Sequence, residues 1–215
     1  NASMSANAGD LTLTYLAAAV TGTADVQNIS VSGTNGTFTA NGAETIAITT
    51  TGLAATLADV ASTGLTKITV AGDQNLTLTT AESLATIDAS ALTGGLTMTG
   101  ATAAQTITGG AGDDSIDMGT TLGTTDTIDG GAGTDTLKLS VSGTIDATAV
   151  TGELINVSNV EVYDVASTND AATLDLDGIT GVTTLNAAAN VKTVTFTGSA
   201  GAESATATMD FTLNG

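Results

Sequence analysis

The chain contains no cysteine, histidine, arginine, proline or tryptophan, and Lys67, Lys138 and Lys192 are its only basic residues against 22 acidic ones. These absences exclude much chemistry. Without His or Cys there is no Ser–His or Cys–His nucleophile pair, no zinc finger and no thiol redox site. No disulfide can form, so stability outside a cell must have another source. A net charge of −19 rules against phosphate neutralisation, so nucleic acid is not an expected partner. The longest apolar stretches, such as Tyr15–Val20, fall far short of the roughly 20 residues that cross a bilayer, so no membrane insertion is expected. Aromatic residues reach 2%, too few to build a sugar cleft around carboxylates such as Glu153, Glu161 and Asp164. An enzyme is not expected.

What is present is aliphatic and β-branched. Hydrophobic residues make up 41%, mean hydropathy is +0.30 and only 12% of residues are charged, a balance opposite to that of disordered chains. The 46 threonines favour strands, while Gly and Asn mark turns. Short period-2 runs recur: Leu11–Thr14, Ile29–Val31, Ile46–Ile48, Ile68–Val70, Leu76–Leu78, Leu96–Met98, Leu137–Leu139, Val160–Val162 and Val194–Phe196. Each predicts a short strand with its aliphatic side inward and Thr outward. Small aliphatics in short strands suit the narrow, stacked core of a β-solenoid. Leu53–Ala61 reads as a short helix or turn, and Gly64–Thr79 resembles Gly181–Thr197 as a faint internal repeat. Three regions are expected: a Thr/Ala/Gly-rich β region over 1–99 (solenoid or sandwich-like), a β-roll over 100–139 and a second Thr/Ala-rich β region over 140–215.

The sharpest pattern lies in the middle. Gly109-Gly110-Ala111-Gly112-Asp113-Asp114-Ser115-Ile116-Asp117 and Gly130-Gly131-Ala132-Gly133-Thr134-Asp135-Thr136-Leu137-Lys138 both fit the nonapeptide GGxGxDxUx throughout, U being a large aliphatic residue. Glycines permit positive-φ turns in a six-residue loop with converging carbonyls. The sixth-position Asp adds a hard anionic oxygen, and calcium takes roughly 6–8 oxygen ligands. Thr121–Asp129 keeps Asp126 and Ile128 in register, and Gly100–Thr108 keeps Ile107 with Gln105 in place of the Asp. Four half-turns therefore run from Gly100 to Lys138, with Met118, Gly119 and Thr120 as extra residues.

Because successive nonapeptides alternate sides in a parallel β-roll, the two complete loops should stack. A calcium site is expected between them, with Asp114 and Asp135 as carboxylates and the loops' glycine-rich backbones (Gly109, Gly110, Gly112, Gly130, Gly131, Gly133) supplying carbonyls. Asp113, Asp117 and Asp129 are marginal candidates, and Gln105 with Asp126 makes a weak pair on the opposite side. Asp175 and Asp177 read as the solvated face of a strand or as a further cation site. Asn28, Asn35, Asn75 and Asn156 fit the N-glycosylation acceptor pattern, which arises easily in so Thr- and Asn-rich a chain.

The two GGAGxD loops resemble those of bacterial RTX proteins exported by type I secretion. Ile68–Asp73, Ile87–Gly94, Ile107–Gly110 and Val157–Val162 are similar to runs in RTX-type S-layer proteins. That resemblance implies an all-β, right-handed parallel β-roll or β-solenoid with short strands and Gly/Asp calcium-binding turns. It also implies bound Ca2+, an extracellular, cell-surface location and self-assembly into a lattice, with cell-surface polysaccharide as a further candidate partner. Only the nonapeptides and their flanks, about 40 residues, carry the specific motif. Asn1 and Gly215 read as cuts in a longer protein, and no carboxyl-terminal export signal is identifiable. An RTX adhesin or filament segment, the calcium-binding tail of a secreted enzyme, and a Thr-lined ice-binding face are the competing expectations.

Overall fold

The computed structural model describes residues 2–5, 9–15, 22–79, 84–100, 103–141, 144–145, 153–167, 172–176, 179–187 and 191–195. Its strands are short. In chain order they are β1 (Ala2–Met4), β2 (Leu11–Leu13), β3 (Val26–Val31), β4 (Thr34–Ala40), β5 (Thr45–Thr50) and β6 (Ala55–Ala61). Next come β7 (Lys67–Gly72), β8 (Leu76–Leu78), β9 (Thr86–Leu92), β10 (Leu96–Thr99), β11 (Thr106–Thr108), β12 (Ser115–Gly119) and β13 (Thr127–Asp129). The remainder are β14 (Thr136–Val141), β15 (Thr144–Ile145), β16 (Val157–Ser158), β17 (Val162–Ser167), β18 (Ala172–Asp175), β19 (Thr184–Ala187) and β20 (Val191–Thr195). There is no α-helix among the described residues.

From β2 to β14, successive strands alternate between two parallel sheets, so the chain winds as a β-solenoid. The first sheet runs β1-β3-β5-β7-β9-β11-β13-β16 and the second β2-β4-β6-β8-β10-β12-β14-β17-β19. A small third parallel sheet holds β15-β18-β20. The same two sheets continue across positions 99/100 and 139/140, because β9 pairs with β11, β10 with β12, β13 with β16 and β14 with β17.

Parallel registers, shifted locally at Thr69–Ala71 and Asp117–Gly119, turn the period-2 pattern into columns. On the first sheet Ile46, Ile68, Ile87, Ile107, Ile128 and Val157 stack inward. On the second sheet Leu57, Leu78, Met98, Ile116, Leu137, Tyr163 and Leu185 do the same. All are buried, and each such side chain contributes roughly 1.5–3 kcal/mol over leaving it in water. Most threonines of these strands face outward, as in the column Thr34, Thr56, Thr77, Thr97, Ser115 and Thr136, while Thr50 at the end of β5 is buried. Few aromatics are needed because a solenoid core is only two aliphatic layers thick.

Two local expectations are corrected. Leu53–Ala61 is no helix: Ala55–Ala61 is β6, in parallel register with β4 and β8, while Leu53 lies 60% exposed. Its helix-like apolar spacing arises because the buried positions shift from Ala55 and Leu57 to Val60, and ladder pairing overrides local propensity. Val160 and Glu161 precede β17, so Glu161 sits at a turn corner instead of on a strand. The two copies of the faint repeat enter different sheets: Lys67–Gly72 joins the first, Thr184–Ala187 the second. Phe196 and Thr197 lie outside the described residues.

Candidate metal centre

The two glycine-rich loops stack as the spacing requires. Gly109–Asp114 links β11 to β12 and Gly130–Asp135 links β13 to β14, one turn apart. The Ala132 N–H donates to the Gly110 carbonyl at 2.9 Å, and the Thr136 N–H to the Asp114 carbonyl at 2.8 Å. Side chains add to this backbone ladder: the Asp114 N–H donates to Asp135 Oδ1 at 2.8 Å, and the Thr134 N–H to Asp113 Oδ1 at 2.8 Å.

The glycines serve two different needs. In the second loop Gly131 (φ 96°) and Gly133 (φ 134°) occupy the left-handed region, as expected. In the first loop none of Gly109, Gly110 and Gly112 does so, and the requirement there is space. A Cβ on Gly109 would collide with the Gly130 carbonyl oxygen and Asp114 Oδ2. One turn on, a Cβ on Gly130 would collide with the Asn159 carbonyl oxygen and stand 2.7 Å from Asp135 Oδ2. Each missing side chain thus leaves a cradle into which one carboxylate oxygen and one carbonyl oxygen converge.

The carboxylates occupy a corner column that is apolar in the three preceding turns. Register places Ala55, Leu76 and Leu96 in line just inside the second sheet, and the same position then carries Asp114, Asp135 and Glu161. Asp114 and Asp135 are each only 2% exposed. Asp114 is well satisfied, accepting the Leu96 N–H on Oδ1 and the Gly110 N–H on Oδ2, each at 2.6 Å. Asp135 Oδ2 has no hydrogen-bond partner among the described residues. Glu161 Oε2 accepts the Asp135 N–H at 2.9 Å, continuing the column.

Burial pushes the Asp114 carboxyl above its ordinary range. The same desolvation, reinforced by the charges of Asp114, Glu161 and Asp113 and opposed by the Asp114 N–H, pushes Asp135 up to about 6. Such a group is stabilised by a proton or by a cation.

The remaining candidates divide. Asp129 stands beside the second loop, its Oδ1 accepting from the Gly131 N–H at 3.1 Å and the Asn159 side-chain amide at 2.7 Å. Asp117 is not brought to the loops; it lies on the outer face of β12, in register with Lys138, which in turn pairs with Asp164. Asp126 lies on the opposite side, where its carboxylate accepts the Gln105 and Gly123 N–H groups at 2.8 Å each. Among the acceptor-pattern asparagines, Asn35 is buried and donates to the Gly33 carbonyl, while Asn75 accepts the Gly95 N–H, so both are built into the turns. Asp177 lies outside the described residues. Glu161 is the residue that sequence reasoning passed over as part of the site. Its only signal is position: it precedes a period-2 run as Asp114 and Asp135 do.

The donor set is all oxygen, which suits a hard cation. Among the described residues no three acidic side chains gather at one point, so carbonyls would have to supply most of a coordination sphere. The buried, unpartnered Asp135 Oδ2 and the two cradles fit such an ion. No described helix is long and apolar enough to cross a membrane. The chain matches no protein-family model, no curated protein and no solved structure.

Proposed function

We propose that this chain is a calcium-dependent structural segment of a secreted, self-assembling bacterial cell-surface layer, built on an RTX-type β-roll. The observation that carries the calcium part is the pair of stacked GGxGxD loops whose sixth-position carboxylates, Asp114 and Asp135, are buried without a basic partner among the described residues. Gly109, Gly110, Gly112, Gly130, Gly131 and Gly133 let the loop backbones approach, and Asp114 and Asp135 would hold the ion with loop carbonyls. Calcium would supply positive charge where the fold has none, so its binding energy becomes folding energy.

The layer part is supported by the architecture. A solenoid of two long parallel sheets with outward threonine columns presents extended, repetitive faces, and a −19 chain needs cations before copies can pack together. Low cytosolic calcium would keep the acidic turns loose for export, and millimolar calcium outside would order them.

Dialysis of the purified chain from chelator into millimolar calcium, followed by negative-stain electron microscopy and circular dichroism, tests both parts. Calcium-dependent sheets or fibres with a gain of β-structure are expected. Compact single particles at all concentrations would overturn the layer reading, and β-structure unchanged by excess chelator would overturn the calcium reading.

A further inference from the structure

The first cradle, at Gly109, brings together the Gly130 carbonyl and Asp114 Oδ2, and this carboxylate oxygen already accepts the Gly110 N–H at 2.6 Å. The second cradle, at Gly130, repeats the arrangement one turn later with the Asn159 carbonyl and Asp135 Oδ2. Here the equivalent N–H, that of Gly131, turns instead to Asp129 Oδ1 at 3.1 Å. Asp135 Oδ2 is thereby left buried and without a donor among the described residues.

The roof of this cradle is held in an unusual conformation. Asn159 has φ 51°, a left-handed backbone that non-glycine residues seldom adopt. Its side chain is anchored to Asp129 Oδ1 at 2.7 Å, and the Gly130 N–H donates to the Ser158 carbonyl at 3.0 Å. These contacts fix the Asn159 carbonyl over Gly130. Glu161, from the same turn, lays its carboxylate against the Asp135 N–H at 2.9 Å.

We propose that a second divalent-cation position, which the nonapeptide pattern does not mark, lies between the Gly130–Asp135 loop and the Asn159–Glu161 turn, with Asp135 Oδ2, the Asn159 carbonyl and the Glu161 carboxylate as ligands. The proposal rests on the reading of the stacked loops as a calcium site, and it extends that site by one turn into sequence lacking the glycine pair. The ion bridges the last complete loop to the first ordinary turn, so it ties the acidic rungs to the aliphatic solenoid that follows.

Tyr163 provides a local reporter, because it lies two residues after Glu161 with its ring buried in the core; the only other tyrosine is Tyr15, two residues after the end of β2, which forms the opposite edge of the second sheet. Terbium(III) replaces calcium at oxygen sites, and tyrosine sensitises its emission with a steep inverse dependence on distance. Calcium counted by equilibrium dialysis on the full chain should give two ions for the wild type at these turns and one fewer for Glu161→Gln or Asp114→Asn. Tyrosine-sensitised terbium emission should need at least about tenfold more terbium in Glu161→Gln, the loss of roughly one charged ligand, and change less than about twofold in Asp114→Asn. Tyr163→Phe should abolish the emission while leaving the calcium count intact.

The Gln variant keeps an acceptor for the Asp135 N–H, so circular dichroism in calcium should match the wild type. Retention of both ions and of the emission curve in Glu161→Gln would overturn the second position. So would a single wild-type ion that is lost in Asp114→Asn and kept in Glu161→Gln, an outcome that leaves the first site standing. A wild-type chain that binds no calcium at millimolar concentration would overturn both readings together.

Discussion

In the turns up to Leu96, the corner column inside the second sheet is filled by Ala55, Leu76 and Leu96; in the next three turns it holds Asp114, Asp135 and Glu161. Parallel pairing and the flanking aliphatic columns run through both stretches. The corner residue differs, and with it the source of stability. A leucine there is held by its neighbours, whereas a buried carboxylate without a basic partner is a liability until a cation arrives. In a solenoid, where each turn touches only the turns beside it, two such stretches can coexist with different demands.

The largest expected effect would come from chelator. Removing calcium should speed hydrogen exchange of the amides in the Gly109–Asp114 and Gly130–Asp135 loops by about 100-fold, read by mass spectrometry. Amides of Ile46–Ile48 and Ile68–Val70 should change by less than about threefold. A uniform change along the chain would break the comparison.

Filling a cradle is the next largest. Gly109→Ala should destabilise the calcium-bound chain by about 2–4 kcal/mol in denaturant titrations, through the collision with the Gly130 carbonyl and the displaced Asp114 carboxylate. Gly9→Ala, where a Cβ would meet nothing within 4 Å, should stay within about 0.5 kcal/mol.

Acidity sharpens the contrast. The folded Asp135 carboxyl, near 6, lies above its unfolded value of about 3.9. Its contribution is therefore present in full below about pH 4 and is lost as pH rises through about 6. In chelator the melting temperature should rise as pH falls from about 7.5 to about 5, and Asp135→Asn should flatten that rise. In calcium the dependence should weaken or reverse, because proton and ion compete for the same oxygens.

Smallest of all is Lys67→Met in the aliphatic stretch. It removes the ion pair with Asp88 at 3.0 Å, which is partly exposed, and should cost at most about 1 kcal/mol by thermal melting, with or without calcium.

The solenoid was legible because its rules are local and repeat. Ile68, Ile87, Ile107 and Ile128 each open a period-2 run, and parallel pairing needs only that the runs align. The stacking of the Gly109 and Gly130 loops followed from counting half-turns. Glu161 was not legible, since its turn has no glycine pair and its corner position depends on where β17 starts. Nor could the glycine pattern separate the torsional need at Gly131 from the spatial need at Gly109, because both demand the same residue. At Leu53–Ala61 a shift in which residues face the core imitated a helical period.

The corner carboxylates share a polarity along the chain. Glu161 accepts from the Asp135 amide, Asp135 from the Asp114 amide, Asp114 from the Leu96 amide and, on the other side, Asp126 from the Gln105 amide. At each of these corners the later turn closes the earlier one. A chain emerging amino end first therefore carries its unfinished edge at the point of growth, and at these corners each new rung seals the one before it as a zip closes behind its slider.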